Sequence, residues 1–386
     1  MAKLRSALHV VAAAVTIGLL GWFAGGQSLL GRVDPALVVP WLFPPMLLFG
    51  WLQRGQGRQH RWRGILFVAL AVAAGQAVSV ATLASSGAVG QLALVACSVV
   101  VVGWLADAIV QYRARGRAVR IVAAFCLAVG WFLFSHVGLA ALYRAPPAAV
   151  GAPPVTMLTG LPLRWAGGGD LSAMVRAGAE EDPALLRLQA AGPVRLVDSL
   201  VEQVPPPGGA LLIAHPRALA PVELVAIDSF VRGGGRAVIL ADALSGWPTI
   251  YPLGDPRNPP VTSLLTPLLD HWGVTLGAAP PGDEAPVSVD VDGARLRLFS
   301  AGAFEALPDG CRRFGARRVA FCRIGQGQVW LVGDADLIFA PLWQPPVPGA
   351  DHLRSSDTME WLAGRLWGVK ARESLFAPVW IRAAVT

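Results

Sequence analysis

One histidine and three acids sit where an α/β domain would do chemistry. His215 closes the apolar run Leu211–Ala214. Asp242 follows the run Ala237–Ala241, and Asp334 and Asp336 follow Val329–Val332. If these runs are strands of a doubly wound sheet, their carboxyl ends form the edge where ligands bind. A histidine and carboxylates on such an edge could hold a metal or exchange protons. Each also has a structural use. His215-Pro216 can start a turn, Asp242 can cap the next segment, and Asp334 can accept backbone N–H groups. Weighed together, these four are assigned to ligand or partner binding; no residue is assigned to catalysis, and no metal or cofactor is expected.

A second group lies between Ser245 and Thr262, a polar and aromatic stretch rich in proline. Trp247, Tyr251, Asp255 and Arg257 there could form a recognition surface, since loops on rigid scaffolds often carry binding. The alternative is a loop packed over its own domain or lying on a membrane surface. Ser245 lacks the Gly-x-Ser-x-Gly elbow of a serine nucleophile. Among the four cysteines, Cys97 and Cys126 fall inside apolar runs and read as small core residues. Cys311 and Cys322 leave three readings open: a disulfide between facing strands in an oxidising compartment, two buried thiols, or a redox role. No CxxC pair points to a zinc ribbon or a thioredoxin-type site.

Periodicity supplies the elements that would position these residues. Val155–Leu158, Leu211–Ala214 and Ala237–Ala241 read as strands. Pro221–Val231 reads as a helix, with proline at the first position, Glu223 in the first turn, and Leu224, Ile227 and Val231 on one face. Leu264–Trp272 and Thr358–Leu366 read as further helices. Strand, helix, strand at this spacing predicts a parallel α/β core. Towards the C-terminus, Asp292-Gly293 and Gly325–Gly327 each join two apolar runs, which predicts hairpins and a mixed sheet.

The first part of the chain differs in kind. Of 386 residues, 54% are hydrophobic and 15% charged, well below the roughly 25% charge of soluble domains. The deficit falls before residue 145. Apolar segments at about 9–30, 37–53, 64–84, 91–111 and 121–143 approach the length of about 20 residues that a spanning helix needs. The second is short and contains Pro40, Pro44 and Pro45. Charge placement argues that it crosses nonetheless. Lys3 and Arg5, then Arg54, Arg58, Arg61 and Arg63, then Arg113, Arg115, Arg117 and Arg120 fall on one side only if there are five spans. The alternate loops hold just Arg32 and Asp34. Basic loops remain cytoplasmic, so the N-terminus lies inside and the C-terminal part outside. This placement also accounts for much of the net charge of +7, so nucleic acid is not an expected partner. Asp107, His136 and Gln76 within the spans are expected to make interhelical hydrogen bonds or to reach the headgroups. The expected organisation is a membrane domain at 1–143, a Pro-rich linker at 144–154 and an extracytoplasmic α/β domain at 155–386.

The stretch Leu211–Asp242, LLIAHPRALAPVELVAIDSFVRGGGRAVILAD, resembles the soluble domain of the gliding-motility type ABC-transporter auxiliary family, the uncharacterised ABC-type transport domain. The matching features are the strand ending in His215-Pro216, the helix holding Ile227-Asp228, the glycine turn and the strand ending at Asp242. Gly325–Asp336, GQGQVWLVGDAD, is a second match. The resemblance covers most of Val155–Gly368. It implies a fold related to intraflagellar-transport-type domains and, more distantly, to class I glutamine amidotransferases, hence a flavodoxin-like sheet. Those enzymes place a cysteine on a sharp strand-to-helix turn beside an activating histidine. Here Asp242-Ala243-Leu244-Ser245 offers no cysteine. The chain also lacks a GxxxxGK[ST] loop, so any ATPase would be a separate chain. The expected function is a non-enzymatic inner-membrane protein whose periplasmic domain binds a ligand or a protein partner, such as a subunit of an ABC-type transport or envelope machine. A membrane-anchored hydrolase using the strand-end residues and a transporter using the five spans are the rivals.

Overall fold

The computed structural model describes residues 2–112, 117–164, 181–201, 203–249, 251–252, 254–255, 258–280, 285–368 and 374–382. The chain divides into two compact units.

The first unit holds Met1–Arg144, Pro345–Arg354 and Ser374–Thr386. Long apolar runs free of proline form α1 (Ala2–Phe23), α4 (Arg58–Leu83), α5 (Val89–Gln111) and α6 (Arg117–Tyr143). These four are long and apolar enough to cross a membrane. The first helix is displaced towards the N-terminus from the expected 9–30. It stops at Phe23, because Gly26 turns into the left-handed region (φ +81°), and Gln27–Leu30 forms a separate turn, α2. The proline-containing segment is not one helix. A 3-10 stretch, Pro35–Trp41, meets α3 (Phe43–Leu52) at 62°. Proline lacks an N–H and its ring clashes with the preceding turn, which accounts for the break.

The ends of these helices show how the bent pair runs. At one end of the bundle the segment 374–382 bridges Arg32 to Trp380 and Ala84 to Ile381. Leu142 O accepts Phe376 N at 3.1 Å, and Gln91 Nε2 donates to Ala377 O at 3.0 Å. At the other end Ser6 pairs with His60, and Arg61 with Asp107. Phe49 lies there too, its ring so close to Gly64 that a Cβ would meet it at 3.0 Å. So α1, α4 and α6 run in one direction, α5 in the other, and residues 35–52 carry the chain from the Arg32 end to the Arg61 end. Polar groups within the helices find partners: Asp107 takes Arg61, and Gln76 takes Gln27. Arg113 and Arg115 lie outside the described residues.

The segments 345–354 and 374–382, assigned by sequence to the domain at 155–386, belong instead to this first unit. Their anchor is Arg32, a fully buried guanidinium. It donates to the carbonyls of His352 (2.6 Å) and Arg354, and it lies 4.3 Å over the Trp380 ring. Beside it, Asp34 accepts the Tyr143 hydroxyl at 2.7 Å and the Ala36 N–H at 3.2 Å. A buried charge needs such partners, and these carbonyls were not visible in the linear order.

The second unit holds Ala145–Gln344 and Ser355–Glu373. Its seven-stranded sheet runs β2 (Val194–Val197), β1 (Val155–Thr159), β3 (Ala210–Ala214), β4 (Arg236–Leu240), β11 (Gly327–Val332), β10 (Val319–Ile324) and β9 (Arg312–Phe314). The first five are parallel, and β10 and β9 are added antiparallel. The sheet is mixed, as expected. The central parallel strands β1, β3 and β4 read as largely apolar runs because both faces are covered. One face packs α7 (Pro183–Ala191) and α11 (Thr358–Trp367), along with the hairpin β6 (Val287–Val291) and β7 (Ala294–Leu298). The other packs α8 (Pro221–Arg232) and α9 (Thr266–His271). Asp292-Gly293 takes positive φ at both residues, which the tight hairpin requires. A small pair, β5 (Thr275–Leu276) and β8 (Phe304–Ala306), completes the strands among the described residues. Arg312 faces Phe321, which sets Cys311 opposite Cys322, and the two are joined as a disulfide.

Candidate functional site

The strand order decides which loops meet. Since β4 and β11 are parallel neighbours, their carboxyl ends emerge side by side, and with them Asp242, Asp334 and Asp336. All three are buried, and each offers a carboxylate oxygen within 4.8 Å of the others. Asp334 is the most firmly held: Oδ2 accepts Phe299 N at 2.8 Å and Oδ1 accepts Asp336 N at 2.6 Å. Asp336 accepts the Ser245 hydroxyl at 3.3 Å and the Gly246 N–H. Gly246 is required here, because a Cβ would meet the Phe299 ring at 2.5 Å and Asp336 Oδ2 at 3.0 Å. Asp242 Oδ1 accepts Leu244 N at 3.1 Å, and its Oδ2 is buried with no hydrogen-bond partner among the described residues.

Burial and mutual repulsion raise these carboxyls. Asp242 is pushed up to about 8 by burial and then by Asp336. Asp336 is raised by burial to about 6, with the Gly246 and Ser245 donors opposing. Asp334 is raised well above the usual carboxylate range by burial and by both neighbours. Such a cluster can share protons or surround a cation. A cleft of about 210 Å³ reaches Asp242, lined also by Thr262, Ser263, Thr266, Asp270 and Gly277.

His215 stands apart in function. It ends β3 with φ +46°, fully buried, and its backbone N–H donates to Leu240 O. Nε2 lies 2.7 Å from Pro260 O, and burial lowers its pKa. A ring nitrogen next to a carbonyl must carry the proton, so His215 fastens the 245–262 loop to the sheet. Part of the loop turns inward, while Pro248, Thr249, Pro252, Gly254, Val261 and Thr262 are exposed. Trp247 is buried against Phe339, with ring centroids 5.1 Å apart, so it does not belong to a recognition surface. Tyr251 and Asn258 exchange backbone and side-chain hydrogen bonds, and Asp255 continues the same turn. Both Tyr251 and Asp255 are half-buried. Arg257 lies outside the described residues.

Two features escaped the sequence reading. Ser245 and Gly246 act as donors to Asp336, which no spacing rule signals across ninety residues. The Arg32–Asp34 pair did carry a signal: it holds the two charges of an otherwise uncharged loop.

Residues 186–279, from α7 to just past β5, match the family described as "ABC-type uncharacterized transport system". No curated protein matches the chain. Solved structures with some likeness include an exo-β-1,4-mannosidase from Opitutaceae bacterium strain TAV5, at 14% identity and TM-score 0.33, covering 63% of this chain and 39% of that one. A β-galactosidase from Bacillus circulans sp. alkalophilus is 13% identical, with TM-score 0.27 over 41% of this chain and 24% of that chain. A GH42 β-galactosidase from G. stearothermophilus is 15% identical, with TM-score 0.28 over 57% and 31%. The chain thus spans well under half the length of these enzymes. At these scores the likeness defines neither a shared fold nor a shared activity.

Proposed function

We propose that the chain is a membrane-embedded auxiliary subunit of an ABC-type transport system, with a non-catalytic α/β domain that binds a partner or ligand outside the cytoplasm. The observation that carries this reading is the match of residues 186–279 to that transport family, on a chain that also supplies four or five helices fit to cross a membrane. The strand order 2-1-3-4-11 supports a flavodoxin-like, doubly wound core of the kind related to the amidotransferases.

The orientation draws on three arguments. Arginines cluster at the Arg61 end of the bundle, which favours the cytoplasmic side of an inner membrane. The chain leaves the bundle from the opposite end, at Tyr143-Arg144. The disulfide in the second unit fits an oxidising compartment. A non-enzymatic role rests on what the strand ends offer: carboxylates tied to backbone donors and a histidine tied to a carbonyl, with no cysteine at the turn after β4. The lipid bilayer and transport subunits are the proposed partners.

Purification of the full chain from membranes in mild detergent tests the reading. A P-loop ATPase chain and its membrane subunit are expected to co-purify in fixed stoichiometry. Recovery of the chain alone, under conditions that keep a known transporter intact, overturns it. A carboxylate-dependent hydrolase, the rival, would turn over a generic ester or glycoside substrate and lose that turnover in Asp336→Asn.

A further inference from the structure

We propose that Asp242, Asp334 and Asp336 form a binding site for a hard divalent cation, calcium before magnesium. The inference does not depend on the transport role. It starts from an orphaned atom: Asp242 belongs to the cluster, the Leu244 and Ala335 N–H groups serve its carboxylate, and Oδ2 is buried with no hydrogen-bond partner among the described residues. Leaving a buried acceptor unsatisfied is costly, and more so for a carboxylate beside two others. No arginine or lysine among the described residues makes an ion pair with any of the three. A cation supplies the missing partner and offsets the repulsion in one step.

The remaining geometry fits that role. Backbone N–H groups of Phe299, Asp336 and Leu244 fix the carboxylates from outside, as second-sphere donors do around metal sites. Each accepting oxygen keeps a lone pair for a metal. The donor set is all oxygen, which selects hard cations over zinc or copper. Ligand oxygens around calcium, at about 2.3–2.6 Å from the ion, can lie up to about 5 Å apart; those around magnesium reach about 4 Å. Each of the three carboxylates offers an oxygen within 4.8 Å of the others, and three protein carboxylates exceed the one or two that magnesium usually takes, which favours calcium. The cleft that reaches Asp242 offers an entry path and room for the water ligands that complete the shell.

The test uses the full chain in detergent, stripped with EDTA and titrated calorimetrically with calcium chloride and, separately, magnesium chloride. One calcium per chain is expected, with magnesium weaker by about tenfold or more. At a hundredfold excess of calcium over its Kd, the melting temperature of the α/β domain should rise by roughly 5–10 °C. Asp242→Asn, checked for its native circular dichroism, should lose about tenfold or more in calcium affinity. If that variant does not fold, the wild-type titration still decides. Absence of heat and of any melting shift with both cations overturns the site, leaving carboxylates that share protons. Unchanged calcium affinity in a folded Asp242→Asn overturns it as well.

Discussion

At the scale of single residues, the buried acids and histidines are held by neighbours distant in sequence, and this makes their loss measurable. Asp334 accepts two backbone N–H groups, from Phe299 and Asp336. Asp334→Ala leaves both donors buried without partners, at about 1–3 kcal/mol each, so a loss of roughly 2–6 kcal/mol is expected in denaturant melts of the α/β domain. Asp334→Asn keeps one acceptor and should lose less; equal losses would show that the N–H groups are satisfied elsewhere. His352 gives a pH dependence. Burial first, then His136, Arg32 and Arg354, lower its pKa from the ordinary 6.5 to about 3. The folded chain therefore holds the neutral ring, 2.8 Å from His136, while the unfolded chain takes up a proton near 6.5. The stability this gives is full above pH 6.5 and is lost progressively as pH falls from 6.5 towards 3. The loss is on the order of a few kcal/mol. Melting temperature against pH in detergent checks it, and His352→Gln should flatten the acid limb. An equally steep limb in the variant would place the effect elsewhere.

At the scale of elements, apolar runs and turn residues made most of the sheet legible. β1, β3 and β4 were visible as unbroken runs, α8 by its first-turn proline and apolar face, and both hairpins by their glycine turns. β2 and α7 were missed: β2 carries an arginine among four residues, and α7 has only nine residues of weak periodicity. β9 was missed because it is an arginine-rich edge strand of three residues, the kind of edge that proteins blunt with charge. The candidate site was legible only in part. Asp242, Asp334 and Asp336 could be placed at strand ends, but their meeting depends on β11 pairing with β4, a contact between residues some ninety positions apart. Two predictions belong to this scale. The disulfide closes a loop of sequence separation 11, so its reduction should cost the α/β domain about 2–3 kcal/mol, read from denaturant midpoints with and without reductant. Identical midpoints, with the thiols shown to be free after reduction, would mean that the bond adds nothing. At the start of β11, a Cβ on Gly327 would meet Val231 O at 2.0 Å and Gly235 O at 2.5 Å. Both are backbone atoms that cannot rotate away, so Gly327→Ala should destabilise by about 1–3 kcal/mol.

At the scale of the whole molecule, the proposed placement of the α/β domain turns on the number of membrane crossings. Four helices pass as spans on length and apolarity, and the bent pair at Pro35–Leu52 makes the count odd or even. If the pair turned back, α1 and α4 would point in opposite directions. Instead the C-terminal segment ties Arg32, after α1, and Ala84, after α4, to the same end through Trp380 and Ile381. Phe376 binds Leu142, near the end of α6, at that end as well. Three helices ending together require a return between each, and residues 35–52 supply the first. The arginines at 54–63 then share a side with Lys3 and Arg5, as charge bias demands. Single cysteines in a background with Cys97 and Cys126 replaced by serine test this directly. A membrane-impermeant maleimide applied to intact spheroplasts should label Ser86→Cys, in the short turn between α4 and α5, and leave Gln56→Cys unlabelled until the cells are lysed. The domain disulfide should stay unlabelled without reductant and react with it from outside. Labelling of Gln56→Cys in intact cells would make the proline segment re-entrant, reverse α4, α5 and α6, and place the α/β domain in the cytoplasm, where its disulfide would not persist.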